Sequence, residues 1–242
     1  MHDIARELAP GRNTVRDDPR SEPWSSATPV ARIPANDAAK RLLDAFGSLI
    51  GLVVLSPLFA VIALLIRLDS PGPALFTQKR VGREGVPFTF YKFRTMCVDN
   101  DCAGHRSYVT KLIREGSDRL RGECGSFKIE NDPRVTRVGR FLRSTSIDEL
   151  PQLYNVLLGD MSLVGPRPPL DYEVELYNPW QRKRLAAVPG MTGLWQVSGR
   201  SRTTFDRMIE LDIEYAETRT FAMDLRILWR TVFVLFDRKG AW

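Results

Sequence analysis

The sequence is poor in the residues that mark secreted or zinc-bound domains. It holds three cysteines, Cys97, Cys102 and Cys124, in 242 residues. Any pairing leaves one thiol over, and the polar, proline-dotted stretch 1–35 does not read as a signal peptide. A reducing, cytosolic setting for the folded domain is expected. Cys97, Cys102, His105 and Cys124 lack the Cys-x-x-Cys knuckle of a structural zinc site, which argues against one. There is no internal repeat, no Walker lysine, no dinucleotide fingerprint and no recognisable nucleic-acid motif. Long hydrophobic runs are scarce too: Ala45 to Ile66 is the single one.

What is present narrows the reading. A hydrophobic content of 43% suffices for one good core, or a core plus a membrane element. The formal charge of +6 implies an anionic partner, which charge alone leaves open among nucleic acid, an anionic lipid face and a phosphorylated substrate. Ala45–Ile66 carries no charge and is long enough to cross a bilayer. Arg32, Lys40 and Arg41 precede it and Arg67, Lys79, Arg80 and Arg83 follow, so the positive-inside rule selects no orientation, and both ends can lie on the cytoplasmic side. Ser56-Pro57 falls at its midpoint. There the proline removes a helical hydrogen bond and leaves a carbonyl that the serine hydroxyl can satisfy. A helix broken at this point turns back out of the membrane; an unbroken one is a kinked anchor. Both readings stand on the residues alone.

The stretch STSIDELPQLYNVLLGDMSLVGPRP carries the densest chemistry. Ser146 and Glu149 have the Ser-x-x-Glu spacing of a capping box, which places Asp148 and Glu149 in the first turn of a helix. The helix start would keep both acids ionised and favour phosphate nearby. Successive helical residues project about 100° apart, so one carboxylate can face a reacting phosphorus while its neighbour holds a metal. The plainer alternative is a pair of acids that satisfies the helix dipole. Leu150, Leu153, Val156 and Leu157 give this helix an apolar face, and Gly159 is its stop. Beyond it, MSLV reads as a short strand, and prolines on both sides of Arg167 preorganise one cation.

The surrounding elements supply further cations. ALFTQKRV and VPFTFYKFRTM, joined by Gly82-Arg83-Glu84-Gly85, read as a β-hairpin with Lys92 and Arg94 on one strand face, where they could contact a diphosphate or simply be solvated. Residues 97–126 are a charged excursion. Arg134, Arg137, Arg140 and Arg143 recur every third residue ahead of the acidic pair, and Arg143 is near enough to fork onto phosphate oxygens or pair with the carboxylates. Pro189 to Ser201 reads as a second glycine-rich loop, suited to close approach of a ligand. Helices are expected over Phe205–Ala216 and Asp224–Phe236. The second sets Leu225, Leu228, Trp229, Val232 and Phe236 against Arg226 and Arg230, which suits either the membrane interface or a core-facing amphipathic helix.

Taken in order, the interrupted apolar helix, LFTQKRVGREGVPFTFYKFRTM, NDPRVTRVGRFLRSTSIDELPQLYNVLLGDMSLVGPRP and PGMTGLWQVSGRS resemble the bacterial sugar transferase family, the monotopic polyprenyl-phosphate phosphoglycosyl transferases, in their small, minimal form. The resemblance covers Asp37 to the C-terminus. It implies an α+β, mainly helical fold: a disordered tail (1–36), a re-entrant membrane helix broken at Ser56-Pro57 (37–69), and a cytosolic, membrane-associated domain (70–242) with a β-hairpin and an interfacial helix. It further implies transfer of a sugar 1-phosphate, glucose or galactose being favoured, from a UDP-sugar to undecaprenyl phosphate with release of UMP. Such a step opens exopolysaccharide assembly at the cytoplasmic face of the bacterial inner membrane. By the same resemblance Asp148 is the nucleophile, Glu149 binds Mg²⁺, Arg167 contacts nucleotide or phosphate, Lys92 is a cation near the site, and Gln196 and Arg200 contribute. Inner-membrane lipid is a partner, a homodimer is plausible, and nucleic acid is excluded. A non-enzymatic, basic, membrane-tethered scaffold explains the charge and the anchor, but not Asp148-Glu149 beside a proline-flanked arginine.

Overall fold

One long helix organises the chain. The computed structural model describes residues 35–97, 110, 113, 134–199 and 203–236. In it, α1 runs Ala35–Asp69 as one helix with Pro57 inside, so the break expected at Ser56-Pro57 does not interrupt it. The N-terminal tail and most of the 97–126 excursion, with Cys102, His105 and Cys124, lie outside the described residues, and Cys97 is exposed. The hydroxyl of Ser56 donates to the Val53 carbonyl at 2.8 Å, the acceptor four residues before Pro57 that the proline cannot serve. The repair expected of the Ser-Pro pair is therefore present.

α1 is long and apolar enough to cross a membrane: its most apolar stretch has a mean hydropathy of 2.9 and is only 11% buried. What is buried forms one stripe at helical spacing. Lys40, Asp44 and Ser48 lead it and Ile62 and Ile66 end it, whereas Phe46, Ile50, Val53, Val54, Val61, Leu64 and Leu65 face outward. The two halves of the stripe meet the domain by different chemistry. Lys40 and Asp44 make hydrogen bonds to Val164 and Leu163. Ile62 and Ile66 join Ala74, Phe93 and Leu142 in an apolar cluster, with Phe59 edge-on to Phe93. Each fully buried aliphatic there contributes roughly 1.5–3 kcal/mol.

The expected hairpin is present: β1 (Leu75–Val81) pairs antiparallel with β2 (Pro87–Phe93), with Arg80 opposite Phe88 and Phe76 opposite Lys92. Next come α2 (Arg137–Thr145), a 3₁₀ turn over Ile147–Glu149, and α3 (Gln152–Leu158). Strand β3 (Ser162–Val164) follows, as expected. α4 (Asp171–Leu176) and α5 (Pro179–Arg182) lead to β4 (Gly190–Thr192), which pairs parallel with β3. α6 (Leu194–Ser198), α7 (Phe205–Thr218) and α8 (Phe221–Phe236) complete the described chain. Among the described residues the fold is thus mostly helical, with two small sheets.

Two expectations are corrected. The glycine-rich stretch after Pro189 is not an open loop but strand β4 and helix α6. Its glycines admit backbone, not ligand: a Cβ on Gly190 would stand 2.0 Å from the Gly165 nitrogen, and one on Gly193 would stand 2.4 Å from the Gly165 oxygen. The capping box is also not formed. Ser146 takes a left-handed conformation (φ 58°) and makes no side-chain cap, and α3 begins only at Gln152, behind Pro151. The acids therefore sit in the 3₁₀ turn ahead of the helix, outside the first turn of α3 and its dipole. Gly159, at φ 96°, ends α3 as expected, its N–H reaching the Asn155 and Val156 carbonyls.

Candidate active site

The 3₁₀ turn separates the two acids by environment. Ser146, one of two non-glycine residues with positive φ among the described residues, ends α2 and redirects the chain sharply. In consequence Asp148 is buried while Glu149 is exposed. The adjacent carboxylates thus point to different surroundings, as the helical-projection argument anticipated, although a 3₁₀ turn and not an α-helix divides them.

The hairpin brings Lys92 and Arg80 to this turn. Burial pulls the Lys92 ammonium down to about 8 from its ordinary 10.5. Asp148 and Glu149 pull the other way, and Arg143 and Arg80 depress it further. Arg80 is lowered to about 10, by burial first and by Arg167 second, with Glu173 and Glu149 opposing. Lys92 also sits 5.2 Å from the centre of the Phe76 ring, and Arg80 at the same distance from that of Phe90. Cations that lower one another's pKa in this way form a pocket of positive potential, which an anion would relieve. The hairpin and the turn after α2 thus bring Lys92 and Arg80 together with Asp148, Glu149 and Arg143, and Arg80 ties this group to Arg167 in the loop after β3.

Asn155 registers these parts against each other. Wholly buried, it accepts from Tyr91 N at 3.2 Å and donates to the Thr89 carbonyl at 2.7 Å, so its amide occupies the outer edge of β2 as a further strand would. α3 is thereby locked beside the strand that carries Lys92. Arg143 Nε donates to Thr95 Oγ1 at 2.9 Å, and α2 can lie this close because a Cβ on Gly139 would meet the Thr95 oxygen at 2.2 Å.

Other expected residues are placed differently. Arg94 is buried and donates to the carbonyls of Ser70 (2.7 Å) and Pro71, with a longer bond to Ile66 (3.5 Å), so it caps the end of α1 in place of the diphosphate contact expected of it. Gln196 lies on α6 and donates to the Met191 carbonyl at 3.4 Å, a local contact. Arg200 lies outside the described residues. The exposed side chain of Arg167 stands on a backbone held from below by Arg184, whose importance the sequence did not signal. Arg80, named in the sequence only as a flanking charge, also belongs to the cluster.

The donor set can be tested for Mg²⁺. Among the described residues, no three His, Cys, Asp or Glu side chains group to hold an ion. Mg²⁺ in phosphoryl-transfer sites needs less: one or two carboxylates, with waters and substrate phosphate completing its octahedron. Exposed Glu149 beside Asp148 supplies that much, so the residues fit.

The chain matches known proteins over most of its length. The family model described as bacterial sugar transferase matches residues 35–238. The undecaprenyl-phosphate galactose phosphotransferase of Salmonella typhimurium is 44% identical over 84% of this chain and 41% of its own length. The UDP-glucose:undecaprenyl-phosphate glucose-1-phosphate transferase of Caulobacter vibrioides is 41% identical, covering 88% of this chain and 75% of its own. The exopolysaccharide production protein ExoY of Rhizobium meliloti is 35% identical, covering 86% and 90%. The chain spans about two fifths of the length of relatives such as the Salmonella protein.

Proposed function

This chain belongs to the bacterial sugar transferase family, and on that premise we propose that it transfers a hexose 1-phosphate, glucose or galactose, from a UDP-sugar to undecaprenyl phosphate with release of UMP. The observation that carries the reading is the buried Asp148 set among Lys92, Arg143 and Arg80, with exposed Glu149 beside it. A carboxylate so placed is a nucleophile whose anionic substrate is drawn in by the cations around it.

The chemistry divides into two displacements. An Asp148 carboxylate oxygen bonds to the sugar-bearing phosphorus of the donor as the anhydride bond breaks, and the electron pair leaves on UMP. A phosphate oxygen of the lipid then attacks the same phosphorus and returns Asp148 as a free carboxylate, giving the lipid diphosphate sugar. Lys92, Arg143 and Arg167 spread the charge of the phosphoryl oxygens, and the partial burial of Lys92 beside the Phe76 ring strengthens that effect. Glu149 would hold Mg²⁺, whose contribution is further neutralisation of the diphosphate.

The same reading places α1 in the cytoplasmic membrane with both ends on the cytoplasmic side. Its 35 residues span about 52 Å, yet side chains near both ends, Lys40, Asp44 and Ser48 at one and Ile62 and Ile66 at the other, are buried against one domain. A domain that meets both ends of a helix cannot stand clear of a bilayer which that helix crosses. Exposed Leu225, Trp229, Val232 and Phe233 on α8, with Arg226 and Arg230 alongside, suit an interfacial position for that helix.

The test is UMP release from a panel of UDP-sugars by lipid-solubilised protein with Mg²⁺ and undecaprenyl phosphate. Lipid-dependent release lost with EDTA and with Asp148→Asn is expected. Release that survives Asp148→Asn would sink the covalent scheme.

A further inference from the structure

We propose that Arg184, locked by Asp212 and Tyr177, is a positioning residue that sets donor affinity through the backbone of Arg167; this rests on Arg167 contacting the donor phosphates, as read above. Pro166, Pro168 and Pro169 have no N–H, so the segment around Arg167 is held by its carbonyls. Each carbonyl from Pro166 to Pro169 accepts from its own donor, and three parts of the molecule supply them: Pro166 from Gly190 N (2.8 Å), Arg167 from Arg184 Nη2 (3.1 Å), and Pro168 and Pro169 from the end of β1, through Arg80 Nη1 (3.0 Å) and Val81 N (3.0 Å).

The donor beneath Arg167 is the most constrained of these. Arg184 is 2% exposed, Asp212 1% and Tyr177 5%. Nη1 of Arg184 donates to the Tyr177 hydroxyl at 2.8 Å, and Nη2 is shared between Asp212 and the Arg167 carbonyl. A buried ion pair is weak support for stability, because desolvation offsets much of its attraction. What this one fixes is the single carbonyl of a residue whose side chain reaches solvent. With its backbone already ordered, Arg167 loses little further freedom on meeting a phosphate.

The experiment is a double-mutant cycle on the full chain in lipid, read as KM for UDP-sugar and kcat for UMP release, with Tyr177→Phe, Arg167→Ala and the double variant. Tyr177→Phe keeps the buried ring and removes the acceptor that steadies Arg184. It should raise donor KM roughly fivefold with kcat nearly unchanged, and add nothing in the Arg167→Ala background. An unchanged KM in Tyr177→Phe, or effects that multiply independently in the double variant, overturns the positioning role. If Arg167→Ala itself leaves donor KM unchanged, the phosphate contact fails first and the positioning role with it. Arg184→Lys, which keeps the charge opposite Asp212 but loses the guanidinium fork, runs through the same cycle should Tyr177→Phe prove unfolded, with the same two outcomes.

Discussion

Two buried arginines hold adjacent carbonyls of one loop, and their surroundings make opposite use of the charge. Arg184, under the Arg167 carbonyl, is buried, and burial works against its charge; Tyr177 and Asp212 nevertheless hold it above its ordinary value. Arg80, on the Pro168 carbonyl, is pulled down to about 10 by burial and by Arg167. The first guanidinium is closed upon its own carboxylate. The second lies among cations, Lys92 and Arg167 included, so a shared excess of positive charge faces Asp148 and Glu149. A closed network of this kind orders backbone, whereas an unbalanced one is built to receive an anion.

Replacing an acid on each side gives the sharpest separation. Asp148→Asn should lower UMP release on the order of a thousandfold or more while circular dichroism stays native, since on the proposed scheme it removes a nucleophile and not a packing element. Asp212→Asn should act first on stability, with donor KM raised as the lock on Arg184 loosens. Leaving Arg184 without its buried counter-charge should cost about 3–5 kcal/mol of stability, measured by chemical denaturation in detergent. Equal stability losses in both variants would erase the distinction between the regions.

A smaller effect should appear on Asn155→Ala, which strips partners from Tyr91 N and the Thr89 carbonyl. The expected loss is about 1–3 kcal/mol, accompanied by reduced turnover as α3 loosens from β2. Measuring both quantities on one preparation tests whether the open cluster depends on that register.

Lys92 offers a pH test. Its folded pKa, about 8, lies below the ordinary 10.5, so between these values the unfolded chain binds more protons than the native one, and native stability rises with pH through that window. Lys92→Met should therefore be more stable than the parent below pH 8, with the difference closing as pH approaches 10.5. Donor KM of the parent should rise above pH 8 as the ammonium discharges, and the variant should lack that rise. Smallest of all, Ser56→Ala removes a hydroxyl from the Val53 carbonyl and should cost about 0.5–1.5 kcal/mol of thermal stability, with turnover unaffected.

Reading from sequence succeeded where the cause is local. The hairpin, the glycine stop at Gly159, the apolar helix and the Ser56 repair of Pro57 each follow from a few neighbouring residues. It failed where a neighbour is distant in the chain. Arg94 was assigned to the site because strand alternation puts it on the face of Lys92, but the end of α1 claims it. The glycines after Pro189 suggested a ligand loop because nothing local shows that Gly165 packs against them. The Ser146–Glu149 spacing matched a capping box, but the left-handed turn at Ser146 overrides it.

The sequence by itself determined the apolar helix, the hairpin, the adjacency of two acids that must diverge, and the prolines that stiffen Arg167, because these depend on backbone sterics and periodicity within a few residues. Only the tertiary structure decided which acid is buried, which arginines stand beside the acids and which, like Arg94, lie away from them at the end of α1. Burial and pairing are set by segments as far apart as Arg80 and Pro168, or Arg184 and Asp212, and the energy of a charge depends on what surrounds it in space.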